Sequence, residues 1–147
     1  MIIPSTESTN CCPSKQINRE KYLYNLHVVR RRDTLMKIKQ YDIWLANLNP
    51  RRGSEHGKTR PVVIVQTNLL NEEHLSTLVC PVTTNVNPEI VLLRVHLKKR
   101  QLDKPSDILV DQIRAINNRL LIKKLGSLTK EQVTKLKENI KVVLDLI

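Results

Sequence analysis

The strongest constraint on the fold of this chain is residues 60–66 (RPVVIVQ), a dense run of aliphatic, mostly β-branched side chains. A short apolar run of this composition is typical of a strand buried in the centre of a sheet. Pro61 has no backbone N–H, so it must lie at the start of that strand, where a missing donor is tolerated. Further strands are predicted at residues 41–48, 76–83, 90–97 and 107–116. The sequence therefore predicts a mainly β fold.

The end of the chain carries the pattern of one amphipathic helix. Thr129 followed by Gln132 matches a capping box, which marks a helix N-terminus. Apolar residues then recur at helical spacing and give the helix one apolar face; they are Val133, Leu136, Ile140, Val143, Leu144 and Ile147. A sheet of five or six strands closed by one C-terminal helix is a small barrel architecture.

The chain divides near residue 35. Residues 1–35 show no periodic pattern of apolar residues and end in a cluster of arginines, Arg30, Arg31 and Arg32. The second of two methionines, Met36, falls where the ordered pattern begins. Residues 1–35 are therefore either a flexible N-terminal arm or an over-extended gene start, and we favour the second. Residues 36–147 form the predicted domain.

Composition and charge narrow the class of protein. The 147 residues carry a net charge of +11, which suggests a polyanionic partner but also serves solubility. Three cysteines, two of them adjacent, argue against a disulfide framework and for a reducing compartment. No apolar run is long enough for a membrane span or a signal peptide, so we expect a cytoplasmic protein with no membrane partner. Scarce aromatic residues weaken any assignment to RNA modules that stack bases on exposed rings.

The segment before the central strand, residues 51–59, combines glycines with basic residues. Gly53 and Gly57 allow sharp turns and close approach of a ligand. Lys58 and Arg60 supply charge suited to phosphate oxygens, which arginine can bind through two parallel hydrogen bonds. The glycine spacing does not match a P-loop. Taken alone, the segment would be interpreted as an ordinary polar hairpin loop with solvated basic side chains.

Five segments together resemble the MazF/PemK family of toxins from toxin–antitoxin pairs. They are residues 42–50 (DIWLANLNP), 52–55 (RGSE), 57–64 (GKTRPVVI), 80–85 (CPVTTN) and 109–116 (LVDQIRAI). The resemblance implies an SH3-like barrel that forms a homodimer. It also implies a sequence-selective, metal-independent endoribonuclease that cuts single-stranded RNA, needs no cofactor and is neutralised by a cognate antitoxin protein.

The resemblance also implies which residues carry the chemistry. The catalytic pair falls on Arg60 and Thr83, with Thr84 as an adjacent hydroxyl. Arginine is a poor base, so we assign Arg60 to transition-state electrostatics. Glu55 and His56 are candidates for proton transfer; alternatively, Glu55 orients a basic side chain and His56 contacts RNA or water.

Other residues are candidates for binding RNA: Gly53, Ser54, Lys58, Thr84, Asn85, Gln112 and Arg114. Gln112 and Arg114 alternate with Ile113 and are therefore expected on one face of one strand. His74 and His96 each stand alone in the sequence, so both are expected to be structural or solvated. Cys80, among apolar neighbours, is expected to be a buried small residue.

Two alternatives remain open at this point. A gyrase poison similar to CcdB would use the same barrel, but that activity relies on a C-terminal tryptophan, and the only tryptophan here is Trp44. A degenerate toxin could bind RNA or antitoxin without cleavage.

Overall fold

The computed structural model describes residues 37–48 and 58–146, and every structural statement below concerns those residues. The N-terminal extension and the candidate residues Gly53, Ser54, Glu55 and His56 lie outside them. The elements in chain order are β1 (Asp42–Asn47), β2 (Thr59–Ile64), α1 (Asn68–Asn71), β3 (Ser76–Thr83), β4 (Arg94–Leu97), β5 (Ser106–Leu109), β6 (Arg114–Asn117), β7 (Leu121–Ser127) and α2 (Lys130–Val143).

The strands pair in antiparallel fashion in the order β4-β5-β3-β2-β1-β7, and β6 also pairs with β3. The predicted class, mainly β with a C-terminal helix, is confirmed. The described strands form an open path from β4 to β7, rather than a ring closed by a ladder between those two. Strand β2 has a strand on each side, as its sequence predicts.

Side chains alternate between two faces of the sheet, and each face has its own apolar cluster. The first cluster contains Ile43, Val63, Cys80, Val82, Val95, Leu97, Ile108 and Val110, and it packs against Leu136 of α2. The second cluster covers the opposite face and contains Ile38, Trp44, Ala46, Val62, Ile64, Val79, Ile116 and Leu121. We call these the helix face and the distal face. Each fully buried Val or Ile contributes about 1.5–3 kcal/mol of transfer free energy, so the two clusters are the main source of stability.

Helix α2 begins at the predicted capping box. The Thr129 hydroxyl accepts the Gln132 N–H, and the Gln132 side chain accepts the Thr129 N–H. Leu136 is fully buried against the sheet, whereas Leu144, which follows the end of the helix, is exposed. No helix among the described residues has the length and apolar composition needed to cross a membrane.

The structure corrects two strand predictions. The predicted strand at 107–116 is broken by a 3-10 turn at Val110–Gln112, so Gln112 and Arg114 do not share one strand. The predicted strand at 90–97 is shorter, because only residues from Arg94 onward pair with β5. Strand β7 (LIKKLGS) was not predicted, because its lysines and glycine interrupt the apolar pattern.

Candidate functional site

Arg60 and Thr83 lie at the same end of two neighbouring strands. The ladder between β2 and β3 ends at the pair Val62–Pro81, and each candidate residue stands two positions beyond it. A step of two residues keeps a side chain on the same face, so both belong to the distal face. Both are half-buried, so their polar groups can meet a ligand there.

The same row continues across two more strands. Thr83 pairs with Asp107 of β5, and Asp107 pairs with His96 of β4. Directly paired residues in an antiparallel sheet point to the same face. Adjacent strands therefore present Arg60, Thr83, Asp107 and His96 in one row across the distal face.

Asp107 is the buried centre of a polar cluster in this row. The residue is 2% exposed, and its Oδ1 lies 3.0 Å from His96 Nδ1. Its Oδ2 accepts the Asn87 N–H at 2.9 Å and lies 3.6 Å from a guanidinium nitrogen of Arg94. The partly solvated His96 ring therefore has a structural partner, in agreement with the expectation that it is structural or solvated, although the sequence did not indicate its pairing with Asp107. His96 and Asp107 lie eleven positions apart in the sequence, and the β4–β5 pairing brings them together.

The segment that follows β3 is held to the same cluster. The Asn85 N–H donates to Thr83 Oγ1 at 3.2 Å, and the Arg94 guanidinium donates to the Asn85 carbonyl at 2.6 Å. Thr83 Oγ1 accepts this bond, and no described residue accepts its hydroxyl hydrogen, which can therefore donate to a ligand. Sequence analysis did not single out Arg94 or Asp107, since each resembles an ordinary charged residue near the start of a strand.

The remaining sequence candidates are distributed around this row. Lys58 is exposed beside β2, and its carbonyl accepts the Leu48 N–H at 3.3 Å, which links the two described segments, 37–48 and 58–146. Thr84 and Asn85 directly follow Thr83 and are exposed. Gln112 and Arg114 are exposed as well, on the 3-10 turn and on β6. Within the described residues, no three histidine, cysteine, aspartate or glutamate side chains are grouped so that they could share a metal ion.

Cys80 is fully buried on the helix face, as the sequence predicts. Burial, together with the negative charge of Asp111, raises the pKa of its thiol to about 12. The thiolate is the reactive form of cysteine, so this residue is poorly suited to act as a nucleophile.

Comparison with known proteins identifies the family. The family model of the PemK-like, MazF-like toxin of type II toxin–antitoxin systems matches residues 39–144. The Endoribonuclease MazF of Staphylococcus epidermidis is 33% identical over 111 residues, which cover 74% of this chain and 92% of that protein.

Solved structures agree with the fold. The Mycobacterium tuberculosis toxin MazF-mt6 superposes with a TM-score of 0.61 and 26% identity, over 71% of this chain and 96% of that one. A MazE–MazF crystal structure from Deinococcus radiodurans gives a TM-score of 0.65 over 76% of this chain and 98% of the matched chain; its 18% identity supports the fold alone. The family model covers most of the chain, and the chain therefore belongs to the PemK-like, MazF-like toxins of type II toxin–antitoxin systems.

Proposed function

We propose that this toxin is a sequence-selective endoribonuclease that cuts single-stranded RNA without a metal ion, and that Arg60 and Thr83 carry the chemistry. One observation carries the proposal. In a chain of this family, the arginine of the Arg-Pro step and the threonine that ends the next strand stand at the same end of adjacent strands, on the same face. The relative from Staphylococcus epidermidis bears the name endoribonuclease, which agrees with the proposal.

The reaction uses the RNA's own 2′-hydroxyl as nucleophile. The 2′-oxygen forms a bond to the adjacent phosphorus, and the bond from phosphorus to the 5′-oxygen breaks. The 2′-hydroxyl loses a proton and the leaving 5′-oxygen gains one, so the products are a 2′,3′-cyclic phosphate and a 5′-hydroxyl. The transition state carries additional negative charge on the non-bridging oxygens of the phosphoryl group.

The Arg60 guanidinium is suited to stabilise this negative charge. Its guanidinium is permanently positive and offers five N–H donors in a planar fork. Its half-buried position on the distal face limits competition from water, which strengthens the interaction. Loss of a single preorganised donor at such an oxyanion typically lowers the rate about 10²–10³-fold.

Thr83 supplies a second donor to the same oxygens. Its oxygen is already occupied as the acceptor of the Asn85 N–H, so the hydroxyl hydrogen can point toward the substrate. Thr84 follows on the exposed side of the chain and binds the RNA backbone or bases together with Asn85.

The two proton transfers need groups other than arginine. Glu55 and His56 remain our candidates because they belong to the segment that precedes Arg60. Gly53, Ser54, Lys58, Gln112 and Arg114 are proposed to contact RNA outside the scissile phosphate.

We further propose that the toxin acts as a homodimer and is inhibited by a cognate antitoxin. The Deinococcus radiodurans relative was crystallised as MazE–MazF. The basic balance of this chain suits an acidic, flexible partner segment, since complementary charge accelerates association.

A cleavage assay tests the proposal. Purified full-length protein is incubated with a defined single-stranded RNA in EDTA, and both new ends are mapped chemically. We expect cuts at a short recurring sequence, with cyclic phosphate and 5′-hydroxyl ends. The Arg60→Ala protein, purified in the same way, controls for contaminating ribonuclease. Cleavage that requires Mg²⁺, or leaves 5′-phosphates, would contradict the proposed mechanism.

A further inference from the structure

We propose that Asp107 is a positioning residue for Thr83. Through Arg94 and the backbone of Asn85 and Asn87, its carboxylate fixes the segment that follows β3 and thereby orients the Thr83 hydroxyl. The inference rests on the proposed function, because it gives Thr83 a role at the scissile phosphate.

The position of Asp107 is unusual for a carboxylate. It occupies the second place of a four-residue strand that is buried throughout, and it is only 2% exposed. A buried charge is costly unless partners surround it, and an apolar residue would serve packing equally well. The cost is met by three partners, namely the His96 ring, the Arg94 guanidinium and the Asn87 N–H.

Two of these partners, Arg94 and the Asn87 N–H, hold the segment after β3 in place. The Asn87 N–H donates directly to Asp107 Oδ2 at 2.9 Å. The side chain of Arg94, which is 19% exposed, lies 3.6 Å from the same oxygen. Its guanidinium also donates to the Asn85 carbonyl at 2.6 Å. The backbone is therefore anchored to one carboxylate at two points, two residues apart.

The anchored backbone in turn holds Thr83. Asn85, whose carbonyl is held by Arg94, also supplies the N–H that Thr83 Oγ1 accepts at 3.2 Å. A threonine hydroxyl has few stable rotamers, and this bond selects one of them. The direct pairing of Thr83 with Asp107 across β3 and β5 fixes the backbone of Thr83 itself. If the anchor is lost, the backbone of Thr83 stays in the sheet, but its hydroxyl loses its fixed direction.

Catalysis is sensitive to such a loss. Misplacement of a reacting group by 1 Å can lower a rate about 10²-fold. A positioning role therefore predicts that removal of the Asp107 charge lowers kcat and leaves KM nearly unchanged. A purely structural role predicts lower stability with normal turnover by the folded protein.

The experiment compares Asp107→Asn and Arg94→Gln with a matched control. Asp42 of β1 is also a buried acidic residue, 4% exposed. Its carboxylate contacts Lys124 Nζ and accepts the Ser127 hydroxyl at 2.9 Å each. Both partners lie on β7, away from Thr83. We expect Asp107→Asn and Arg94→Gln each to lower kcat about tenfold or more. Asp42→Asn should lower the melting temperature without a change in kcat. Wild-type kcat in both test variants, or an equal loss of kcat in Asp42→Asn, would overturn the inference.

A double-mutant cycle makes the test specific to Thr83. In the Thr83→Ala background, Asp107→Asn should cause little further loss, because the group that it positions is already absent. Full additivity of the two losses would overturn the inference.

A third measurement does not depend on RNA cleavage. NMR couplings report the Thr83 side-chain rotamer, and hydrogen exchange reports the Asn85 and Asn87 amides. Asp107→Asn and Arg94→Gln should average the rotamer and accelerate exchange, whereas Asp42→Asn should not. If the wild-type protein cut no RNA, the proposed function would fail while this measurement still decided the positioning. A single, unchanged Thr83 rotamer in Asp107→Asn would overturn the positioning by itself.

Discussion

Asp107 and His96 face each other across β5 and β4, with 3.0 Å between Asp107 Oδ1 and His96 Nδ1. A carboxylate oxygen only accepts, so Nδ1 carries the proton of this bond. The His96 side chain is 56% exposed, so the contact is a partly solvated one.

We expect His96→Gln to lower the free energy of unfolding by about 0.5–1 kcal/mol, the usual range for a partly exposed pair. Its effect on cleavage should be smaller than that of Arg94→Gln, because His96 has no hydrogen bond to the segment after β3 among the described residues. Chemical denaturation and RNA cleavage by the same preparations measure both effects. A larger loss of activity in His96→Gln than in Arg94→Gln would instead indicate a direct role for the imidazole.

Arg60 is expected to act through the shape of its guanidinium as well as its charge. Arg60→Ala should lower the rate of cleavage by at least about 10²-fold. Arg60→Lys should restore little of it, because an ammonium group cannot reproduce the planar fork. Circular dichroism should show a native fold in both variants, since Arg60 lies at the end of β2, beyond its ladder with β3. Full activity in Arg60→Lys would mean that charge alone suffices.

Thr83 and Thr84 provide a matched pair of neighbouring hydroxyls. Thr83 ends β3 on the distal face and is half-buried, whereas Thr84 is exposed beyond the strand. Thr83→Ala should therefore lower kcat strongly, and Thr84→Ala should act weakly and mainly on KM. Initial rates over a range of RNA concentrations separate the two effects. The reverse ranking would move the catalytic register by one residue.

Ionisation of the Cys80 thiol makes the free energy of unfolding depend on pH in the alkaline range. Burial, with a contribution from the Asp111 carboxylate, raises the pKa of its thiol to about 12 in the folded chain, against about 8.5 in an unfolded one. Between these values the unfolded chain releases a proton that the folded chain retains, so the free energy of unfolding falls as pH rises. The thiol contribution is fully present below about pH 8.5 and is lost progressively toward pH 12.

We expect wild-type protein to lose about 1–2 kcal/mol more than Cys80→Ala between pH 8.5 and pH 10. The comparison cancels the titration of lysines and tyrosines that the two proteins share. Urea denaturation at a series of pH values gives the difference. Parallel pH profiles for the two proteins would show that the folded thiol ionises normally.

Local signals in the sequence predicted much of the fold. The β-branched run before Gln66 gave the central strand, and the 76–83 segment matches β3. Strand β7 was missed, since Lys123 and Lys124 are both exposed on this edge strand and interrupt the apolar pattern. The single strand predicted at 107–116 is two strands, β5 and β6, separated by a 3-10 turn. The hydropathy pattern does not distinguish that turn from a continuous strand.

Sequence analysis could identify only those candidate site residues that lie within short family motifs. Arg60 and Thr83 follow from the family resemblance, and the ladder puts them at one end of two adjacent strands. The Asp107 cluster depends on pairings between β3, β5 and β4, which periodicity along one strand cannot reveal. Long-range pairing was therefore the missing information, rather than any property of Asp107 or His96 alone.

Gln132 joins the helix to the sheet and gives a stability prediction. Its side chain completes the capping box with Thr129, forms a reciprocal amide pair with Gln101 at 2.8 Å, and donates to the His96 carbonyl at 3.1 Å. The residue is only 7% exposed, so these groups have little access to water if their partner is removed.

We expect Gln132→Ala to lower the free energy of unfolding by about 2–3 kcal/mol, because it removes a cap and leaves buried polar groups unpaired. Gln132→Glu keeps an acceptor for the Thr129 N–H but has no donor for Gln101 or for the His96 carbonyl. The free energy of unfolding of Gln132→Glu should therefore lie between those of wild type and Gln132→Ala if the accepted and the donated hydrogen bonds contribute separately. Urea denaturation of the three proteins at pH 7 measures the order. Equal stability of Gln132→Glu and wild type would mean that the bonds accepted at this position, from the Thr129 N–H and from the Gln101 amide, account for the role of Gln132.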